Sequence, residues 1–294
     1  MTQKKKLKKK KKLGVRNYGL DWAKQEADRK PDQDWKLGAS SPKCIAEIPA
    51  GQRGQYMPAG ERQNIGEEKM DCASRDFANI CEAKFNYLVR NNLIPESHEI
   101  WLAENGYFTE TGIEFSDAYI AILSGTTRSG NSLVAPIDAG RHFGLIPKTM
   151  LPQGNTFDEH HDPKRITQQI KDLGEEFLRR FGINREEVSE NQFSNFLERD
   201  MLAVGGFAWP QPVNGEYPRV SYQPNHAFVI FEKPDYLAFD NYEEAENDFI
   251  KKLAPDYDFL GYGYRIILSV RHPMPKKLTW WELVQRFFRG RNVV

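Results

Sequence analysis

The sequence contains no long uninterrupted hydrophobic run and only three cysteines among its 294 residues. A bilayer span needs ~20 consecutive apolar residues, so no transmembrane segment is predicted. Cys44, Cys72 and Cys81 are too few and too unevenly spaced for a disulfide framework, and they match no zinc-ribbon pattern. We therefore expect a soluble protein in a reducing compartment, where each cysteine is either an inert core residue or a working thiol.

The formal net charge is zero, but the basic residues are unevenly distributed. Residues 1–16 hold nine basic residues and no acidic one, which leaves 32 basic against 41 acidic residues in the rest of the chain. No apolar segment follows this basic stretch, so it is not a secretory signal, and we expect a cytoplasmic or virion-associated protein. We interpret residues 1–36 as a basic disordered extension. The alternative is electrostatic attachment of this tail to an anionic partner, either nucleic acid or a charged surface.

Hydrophobic spacing predicts a helical first half and a β-rich second half. Apolar residues at steps of three and four predict a long helix that begins at Cys72 and ends near Asn91–Asn92. Further helices are predicted over residues 116–123, 131–143, 163–181 and 187–201, and strands over 227–231, 236–239 and 264–270. This order favours an α+β architecture, with a helical lobe at about 60–165, a β-rich lobe at about 166–275 and a cleft between the two lobes.

The last residues, 276–294, are predicted to form a separate amphipathic helix. Thr279 to Glu282 has the spacing of a capping box, and the apolar residues that follow form one stripe. We expect this helix to pack onto the body of the protein. Docking to a partner or a membrane surface is the alternative, since Arg286, Arg289 and Arg291 give the helix a basic side.

Cys72 is the candidate nucleophile among the three cysteines. A thiol attacks carbonyl carbon only as the thiolate, and its pKa falls at a helix N-terminus beside a protonated histidine. Cys72 begins the long predicted helix, whereas Cys81 lies on the apolar stripe of that helix and Cys44 lies in an irregular stretch. We therefore interpret Cys81 as a core residue and Cys44 as structural.

His226 is the candidate general base. It begins the predicted strand 227–231, and strand ends present catalytic side chains. The turn over residues 232–235 predicts a hairpin that brings either Asp240 or Asn241 back beside His226. One of these two residues would orient the imidazole, as a triad requires.

A competing constellation is the acidic and histidine-containing stretch 158–162, which has residue types that bind metals. Its two histidines are adjacent, however, and adjacent side chains diverge and seldom bind one ion. We interpret this stretch as a solvated acidic loop, and we predict neither a metal site nor a cofactor.

Taken in order, several motifs resemble those of papain-like cysteine peptidases, in particular the divergent ones of bacteriophages and environmental bacteria. The resemblance covers about residues 34–268. The matching pieces are Met57-Pro-Ala-Gly-Glu-Arg-Gln63, Met70-Asp-Cys72 at the start of a long helix, Phe115-Ser-Asp117, Ser129-Gly-Asn-Ser132, His142-Phe-Gly-Leu-Ile-Pro147, Asn225-His226-Ala-Phe and Phe239-Asp-Asn-Tyr242. The 154 residues from Cys72 to His226 also suit the family.

The resemblance implies a papain-like peptidase domain over residues 37–275 and a role for each matching residue. Cys72 would be the nucleophile, His226 its ion-pair partner, and Asp240 would take the place of the usual Asn, with Asn241 as the alternative if the register shifts by one. Gln63 would contribute to the oxyanion hole, and Gly130 would let a substrate backbone lie against the cleft wall. Tyr242 would stand where a Trp usually shields the hydrogen bond between the histidine and its orienting residue. No long inhibitory propeptide is implied.

The function expected from these residues is hydrolysis of a peptide or isopeptide bond in a polypeptide substrate, through a thioester on Cys72. A peptidoglycan-cleaving cysteine amidase or endopeptidase is an alternative of the same catalytic type. A papain-like virion or interaction protein that lacks catalytic activity is an alternative of a different class.

Overall fold

A computed structural model describes residues 18–29, 45–220, 223–242 and 249–271. Its helices, in chain order, are α1 Trp22–Asp28, α2 Cys72–Arg90, α3 Glu96–Glu104, α4 Asp117–Leu123, α5 Val134–Phe143, α6 Phe157–His160, α7 Gln168–Arg180 and α8 Phe193–Phe196. Its strands are β1 Phe181–Ser189, β2 Leu202–Gly206, β3 His226–Glu232, β4 Tyr236–Phe239, β5 Ile250–Leu253 and β6 Phe259–Val270. None of the helices in these ranges is both long and apolar enough to cross a bilayer.

Helix α2 is the central helix of the fold. Almost every residue from Cys72 to Leu88 is buried, because strand β3 packs against the helix on one side and α4 and α5 pack against it on another. The helix ends at Arg90, two residues before Asn92, which has a left-handed backbone conformation (φ 52°). The predicted start and end of this helix are confirmed.

All six strands form one antiparallel sheet in the order β1-β6-β2-β3-β4-β5. Strand β3 lies inside the sheet and is buried on both faces, since its side chains alternate between two cores. Ala227 and Val229 pack towards the helices, whereas Phe228 and Ile230 pack into a second cluster on the other face. The α+β fold predicted from the sequence is confirmed, and so are β4 and the hairpin that joins it to β3.

The predicted helix over residues 187–201 is wrong. This region contains the end of strand β1, a turn and the four-residue helix α8. Residues 181–189 pair along their whole length with β6, and the buried side chains of Val188, Phe193 and Leu197 fill the second core. Long-range strand pairing outweighs the local helical spacing here.

Two other helices begin later than predicted. Helix α5 begins at Val134 instead of residue 131, because the Asn131 side chain bonds to Ser124 and Thr126 in the preceding loop. Helix α7 begins at Gln168, where the Thr167 side chain accepts a hydrogen bond from the Ile170 N–H. A side-chain cap therefore sets the start of α7, and the loop hydrogen bonds of Asn131 delay the start of α5.

Helix α1 lies inside residues 1–36, which the sequence predicted to be a disordered extension. For residues 18–29 that prediction does not hold, because the Asp21 side chain caps α1 and Gln25 is fully buried against the body. Cys44 and the predicted helix over residues 276–294 lie outside the described residues.

Candidate active site

Cys72 is the first residue of helix α2, and its side chain is only 2% exposed. Its sulfur accepts a hydrogen bond from the backbone N–H of Ala227, so the thiol faces the start of strand β3. Burial raises the pKa of Cys72 well above its ordinary value, and the negative charges of Asp71 and Glu68 raise it further. With its side chain buried in this way, Cys72 is a protonated thiol at neutral pH.

His226 is held by Asp240 across the β3–β4 hairpin. The Nε2 atom of His226 lies 2.5 Å from Oδ1 of Asp240, and both side chains are buried. The other ring nitrogen, Nδ1, is buried, and none of the described residues forms a hydrogen bond with it. Because His226 directly precedes Ala227, this nitrogen belongs to the residue next to the one that contacts the Cys72 sulfur.

Of the two residues that the sequence left open as orienter, the structure places Asp240 against His226. Its second oxygen, Oδ2, accepts a hydrogen bond of 2.6 Å from the indole Nε1 of Trp209. The Asn241 side chain instead accepts from Asn79 of helix α2 and donates to the Glu61 carbonyl oxygen. Trp209 was not predicted from the sequence, because it lies in the loop after β2 and no local pattern links it to His226.

Aromatic rings enclose His226. Tyr242 and Trp209 present edge-to-face contacts with ring centroids 5.2 Å and 5.9 Å from the imidazole, and Tyr18 lies 5.6 Å away. Tyr242 therefore stands beside His226, as the resemblance implied for this position. These rings exclude water from the His226–Asp240 hydrogen bond, which strengthens it.

Gln63 lies in the same site and is fully buried. Its backbone N–H donates to the carbonyl oxygen of Asn241 at 3.0 Å. Its side-chain Nε2 donates to Glu68 at 2.7 Å and contacts the Tyr242 hydroxyl at 3.2 Å and the carbonyl oxygen of Tyr18 at 3.3 Å. The amide of Gln63 thus meets a peptide carbonyl close to His226, while its Oε1 accepts no hydrogen bond from the residues that the structure describes.

Gly130 adopts a left-handed conformation (φ 101°) and forms a tight turn with Thr127. A Cβ atom on Gly130 would lie 1.9 Å from the carbonyl oxygen of Gly19. Only glycine therefore permits a peptide backbone to lie this close to the wall of the site.

The backbone that lies against Gly130 belongs to residues 18–20, which we call the cleft segment. It runs between Asn131 and Asn225, and it covers His226, Gln63 and Gly130. We did not predict it from the sequence. The available signal was weak: three apolar residues, Tyr18, Leu20 and Trp22, alternate directly after the Lys-rich stretch.

Residues 158–162 do not form only a solvated acidic loop, because His160 is fully buried. Its Nε2 lies 3.0 Å from Oδ2 of Asp71, the residue before Cys72, and its Nδ1 accepts from the Gly154 N–H. Within the described ranges, no three His, Cys, Asp or Glu residues are grouped so as to hold a metal ion. His160 instead braces the N-terminus of helix α2.

Comparison with known proteins identifies the fold of this chain. No protein-family model matches the chain, and no curated protein matches it in sequence. Among solved structures, the ragweed pollen allergen Amb a 11, a cysteine protease in its proform, is 12% identical, with a TM-score of 0.51 over 88% of this chain and 76% of that chain.

A structure from a study of the mite allergens Blo t 1 and Der p 1 is 9% identical, with a TM-score of 0.50 over 85% of this chain and 78% of that chain. Xylellain, a cysteine protease from Xylella fastidiosa, is 13% identical, with a TM-score of 0.48 over 90% and 98%. At such identities a structural likeness establishes the fold alone. The chain therefore has the papain-like cysteine-protease fold.

Proposed function

We propose that the chain is a cysteine peptidase that hydrolyses peptide or isopeptide bonds through a thioester on Cys72. His226 acts as the general base and acid, Asp240 orients its imidazole, and Gln63 contributes to the oxyanion hole. The observation that carries the proposal is the hydrogen bonding of the two His226 ring nitrogens. Asp240 engages Nε2, and the buried Nδ1, which hydrogen-bonds to none of the described residues, lies beside the residue that contacts the Cys72 sulfur.

The reaction starts with proton transfer from the Cys72 thiol to Nδ1 of His226. The thiolate attacks the carbonyl carbon of the substrate, and the negative charge that develops on the oxygen is stabilised by Gln63 Nε2 and the Cys72 backbone N–H. The imidazolium then protonates the leaving amine. Water, deprotonated by His226, hydrolyses the thioester and regenerates the thiol.

The substrate class rests on two features of this site. Gly130 and Asn225 leave room for an extended backbone, since the cleft segment lies there and is held by backbone hydrogen bonds. A polypeptide is therefore the substrate that fits the site best. Peptidoglycan fragments contain peptide bonds too, and a direct assay separates the two classes.

The decisive experiment compares Cys72→Ala with Cys81→Ala, since Cys81 lies in the same helix and is fully buried in the core. Turnover of labelled casein and of peptidoglycan fragments is measured for the wild type and both variants. Leu20 is buried in the core beside the site, so each protein is assayed alone and combined with Leu20→Glu, in which the buried charge should displace the cleft segment. We expect hydrolysis of casein that Cys72→Ala abolishes and Cys81→Ala retains.

Two results would overturn this function. Full turnover by Cys72→Ala would remove the nucleophile. The absence of any turnover in the Leu20→Glu background, with Cys72 accessible to iodoacetamide, would favour an inactive binding protein. Cleavage of peptidoglycan fragments but not of casein would keep the chemistry and change the substrate.

A further inference from the structure

Helix α3 has one buried face and one face that lines an open groove. His98, Trp101 and Leu102 form the buried face. The groove has a volume of about 690 Å³, and Ile100 and Phe108 are among the residues that line it. The side chains of Ile100 and Phe108 are 49% and 37% exposed. Two large apolar side chains therefore meet solvent in the same groove.

The apolar surface extends beyond the groove. Leu93 is 46% exposed, and its neighbours Asn92 and Ile94 line the groove. Of the seven large apolar side chains that are exposed in the described ranges, three thus lie within residues 93–108. Single exposed apolar side chains are ordinary, whereas a cluster of them marks a surface that binds another element.

The groove side of α3 has the pattern of a surface that packs against a second helix. Glu96, Glu99, Ile100 and Ala103 line the groove, and their spacing of three, four and seven residues places them on one face of α3. Ile100 and Ala103 supply apolar surface, and the two glutamates add negative charge beside it. An amphipathic helix with basic flanks suits such a face.

The described part of the chain ends beside this helix. Strand β6 leads to Arg271, whose carbonyl oxygen lies 3.0 Å from Nε2 of His98 in α3. The Arg271 N–H donates to the carbonyl oxygen of Arg180 at 2.7 Å, and its guanidinium donates to that of Leu178 at 2.6 Å. Arg271 is thus held between α3 and α7, and the residues that follow start from this point.

The spacing between Arg271 and the amphipathic helix predicted over residues 276–294 is short. His272-Pro-Met-Pro275 separates them, and the two prolines predict an extended linker because each disfavours helical backbone in the residue before it. Four extended residues span up to about 14 Å. An α-helix with its side chains is about 10–12 Å wide, so this linker is long enough to pass from the buried face of α3 to the groove.

Residues 276–294 complement the groove in both apolarity and charge. The predicted apolar stripe of this segment consists of Trp280, Trp281, Leu283, Val284, Phe287 and Phe288. Its charged residues are five basic ones and a single acidic one, namely Lys276, Lys277, Arg286, Arg289, Arg291 and Glu282. The groove carries the opposite charge through Glu96 and Glu99. Such complementarity favours this pairing over contact with an arbitrary apolar surface.

We infer that the groove of helix α3 is the docking site of residues 276–294, which bind there as an amphipathic helix of the same molecule. The aromatic stripe of the segment covers Ile100 and Phe108, and the docked helix joins the end of strand β6 to α3. A linker of four residues keeps the segment at an effective concentration on the order of mM, so moderate contacts suffice for occupancy. This docking does not depend on the proposed function.

Photo-crosslinking of the full chain tests the occupant of the groove directly. Benzoylphenylalanine is placed at position 100, in the groove, or at position 213, where Val213 is 59% exposed in the loop after β2. Crosslinked products are mapped by peptide mass spectrometry. We expect the probe at position 100 to react with residues 276–294 of the same molecule, at least tenfold more than the probe at position 213. The yield should not depend on protein concentration.

Hydrogen exchange of the full chain measures docking in solution. We expect Ile100→Glu to accelerate amide exchange in residues 280–288 at least tenfold, because the new carboxylate faces the aromatic stripe. Phe287→Glu alters the segment but not the groove and should have the same effect. Val213→Glu is the matched control, since it places the same charge at another exposed apolar position; its exchange should equal that of the wild type.

The buried helix α2 reports the state of the body in the same experiment. If Ile100→Glu also accelerates exchange in α2, the variant has unfolded, and Phe287→Glu decides by the same criterion. Equal exchange of residues 280–288 in the wild type and Phe287→Glu would overturn the docking. Measurement of exchange and crosslinks needs no turnover, so an inactive protein leaves this test intact.

Two other occupants would give distinct results, and each would refute docking within one molecule. Crosslinks from position 100 that join two chains, with a yield that rises with protein concentration, would assign the groove to a second copy. Absence of crosslinks from position 100, together with sedimentation of the chain on phosphatidylserine vesicles that Phe287→Glu abolishes, would assign the segment to a membrane surface.

Discussion

His160 and Asp71 connect two distant parts of the chain directly behind the Cys72 thiol. The Nε2 atom of His160 lies 3.0 Å from Oδ2 of Asp71, and neither side chain is exposed. Arg75, one turn further along α2, donates to the same carboxylate at 3.1 Å. The residue that immediately precedes the candidate nucleophile is thus fixed by two buried partners.

The first prediction concerns Asp71. Burial raises its pKa, but the charge of Arg75 and the hydrogen bond from His160 outweigh burial and hold the pKa well below the ordinary 3.8. A carboxyl with a lowered folded pKa stabilises the fold above its unfolded pKa, and the contribution is lost as pH falls towards the folded value. We expect Asp71→Asn to lower the free energy of unfolding by about 3 kcal/mol at pH 7 and by much less at pH 2.

Urea unfolding across this pH range provides the measurement. Asp158→Asn is the control, because its carboxylate is 82% exposed and pairs with Arg128 at the surface. Such a pair contributes less than about 1 kcal/mol. A cost for Asp71→Asn that does not shrink in acid would contradict the assigned ion pair.

The second prediction concerns Asp117, whose pKa is shifted in the opposite direction to that of Asp71. Asp117 also lies against Arg75, at 3.0 Å, but burial and the negative charges of Glu61 and Asp71 raise its pKa to about 7. A raised folded pKa adds stability below the unfolded pKa, and this stability is lost as pH rises through about 7. Relative to the wild type, Asp117→Asn should therefore gain unfolding free energy between pH 4 and pH 8, by at most about 4 kcal/mol at 1.36 kcal/mol per unit.

The difference in unfolding free energy between the wild type and Asp117→Asn is taken at each of the two pH values. The contributions of all other titrating groups cancel in this difference. A difference that moves in the same direction as that of Asp71→Asn would show that Asp117 is ionised throughout this range. That outcome would refute the raised pKa.

The parts of the site that the sequence predicted are those with local signals. The stripe of helix α2 begins at Cys72, and the short turn between β3 and β4 brings Asp240 within hydrogen-bonding distance of His226. Both relationships depend on residues close together in the chain. Periodicity and turn composition were therefore sufficient to predict them.

The parts that could not be predicted depend on distant pairing. Strand β1 exists because β6, some 80 residues later, pairs with it, and its own residues carry no clear alternation. Trp209 and the cleft segment reach His226 from separate loops. No periodicity within either segment encodes the site that it joins, so a single sequence leaves such contacts undetermined.

The third prediction concerns the oxyanion hole. Gln63 Nε2 already meets a peptide carbonyl, that of Tyr18, in the covered site. In the proposed reaction a substrate carbonyl takes this place, so Gln63→Ala should lower kcat by about 10²–10³ with a smaller effect on KM. Gln153→Ala is the control, since the Gln153 side-chain amide donates to the backbone oxygen of Gln63 at 3.3 Å. Equal kcat values for Gln63→Ala and the wild type would exclude Gln63 from the reaction.

The fourth prediction explains why a lysine lies on the apolar stripe of helix α2. Lys84 is fully buried, and its Nζ lies 2.6 Å and 2.7 Å from the two oxygens of Asp200 and 3.0 Å from the Ala46 carbonyl oxygen. Arg265 also donates to Asp200, at 2.8 Å, so this cluster joins the helix to strand β6.

Lys84→Met removes one partner of a buried ion pair and should lower the free energy of unfolding by about 3–5 kcal/mol. Lys171→Met on the exposed face of helix α7 should change it by no more than about 0.5 kcal/mol. Because Lys84 lies three turns from Cys72, its loss should leave KM and kcat of the folded fraction unchanged. A neutral effect of Lys84→Met on urea unfolding would mean that Arg265 alone compensates Asp200, and that the helix is held to the sheet by apolar packing.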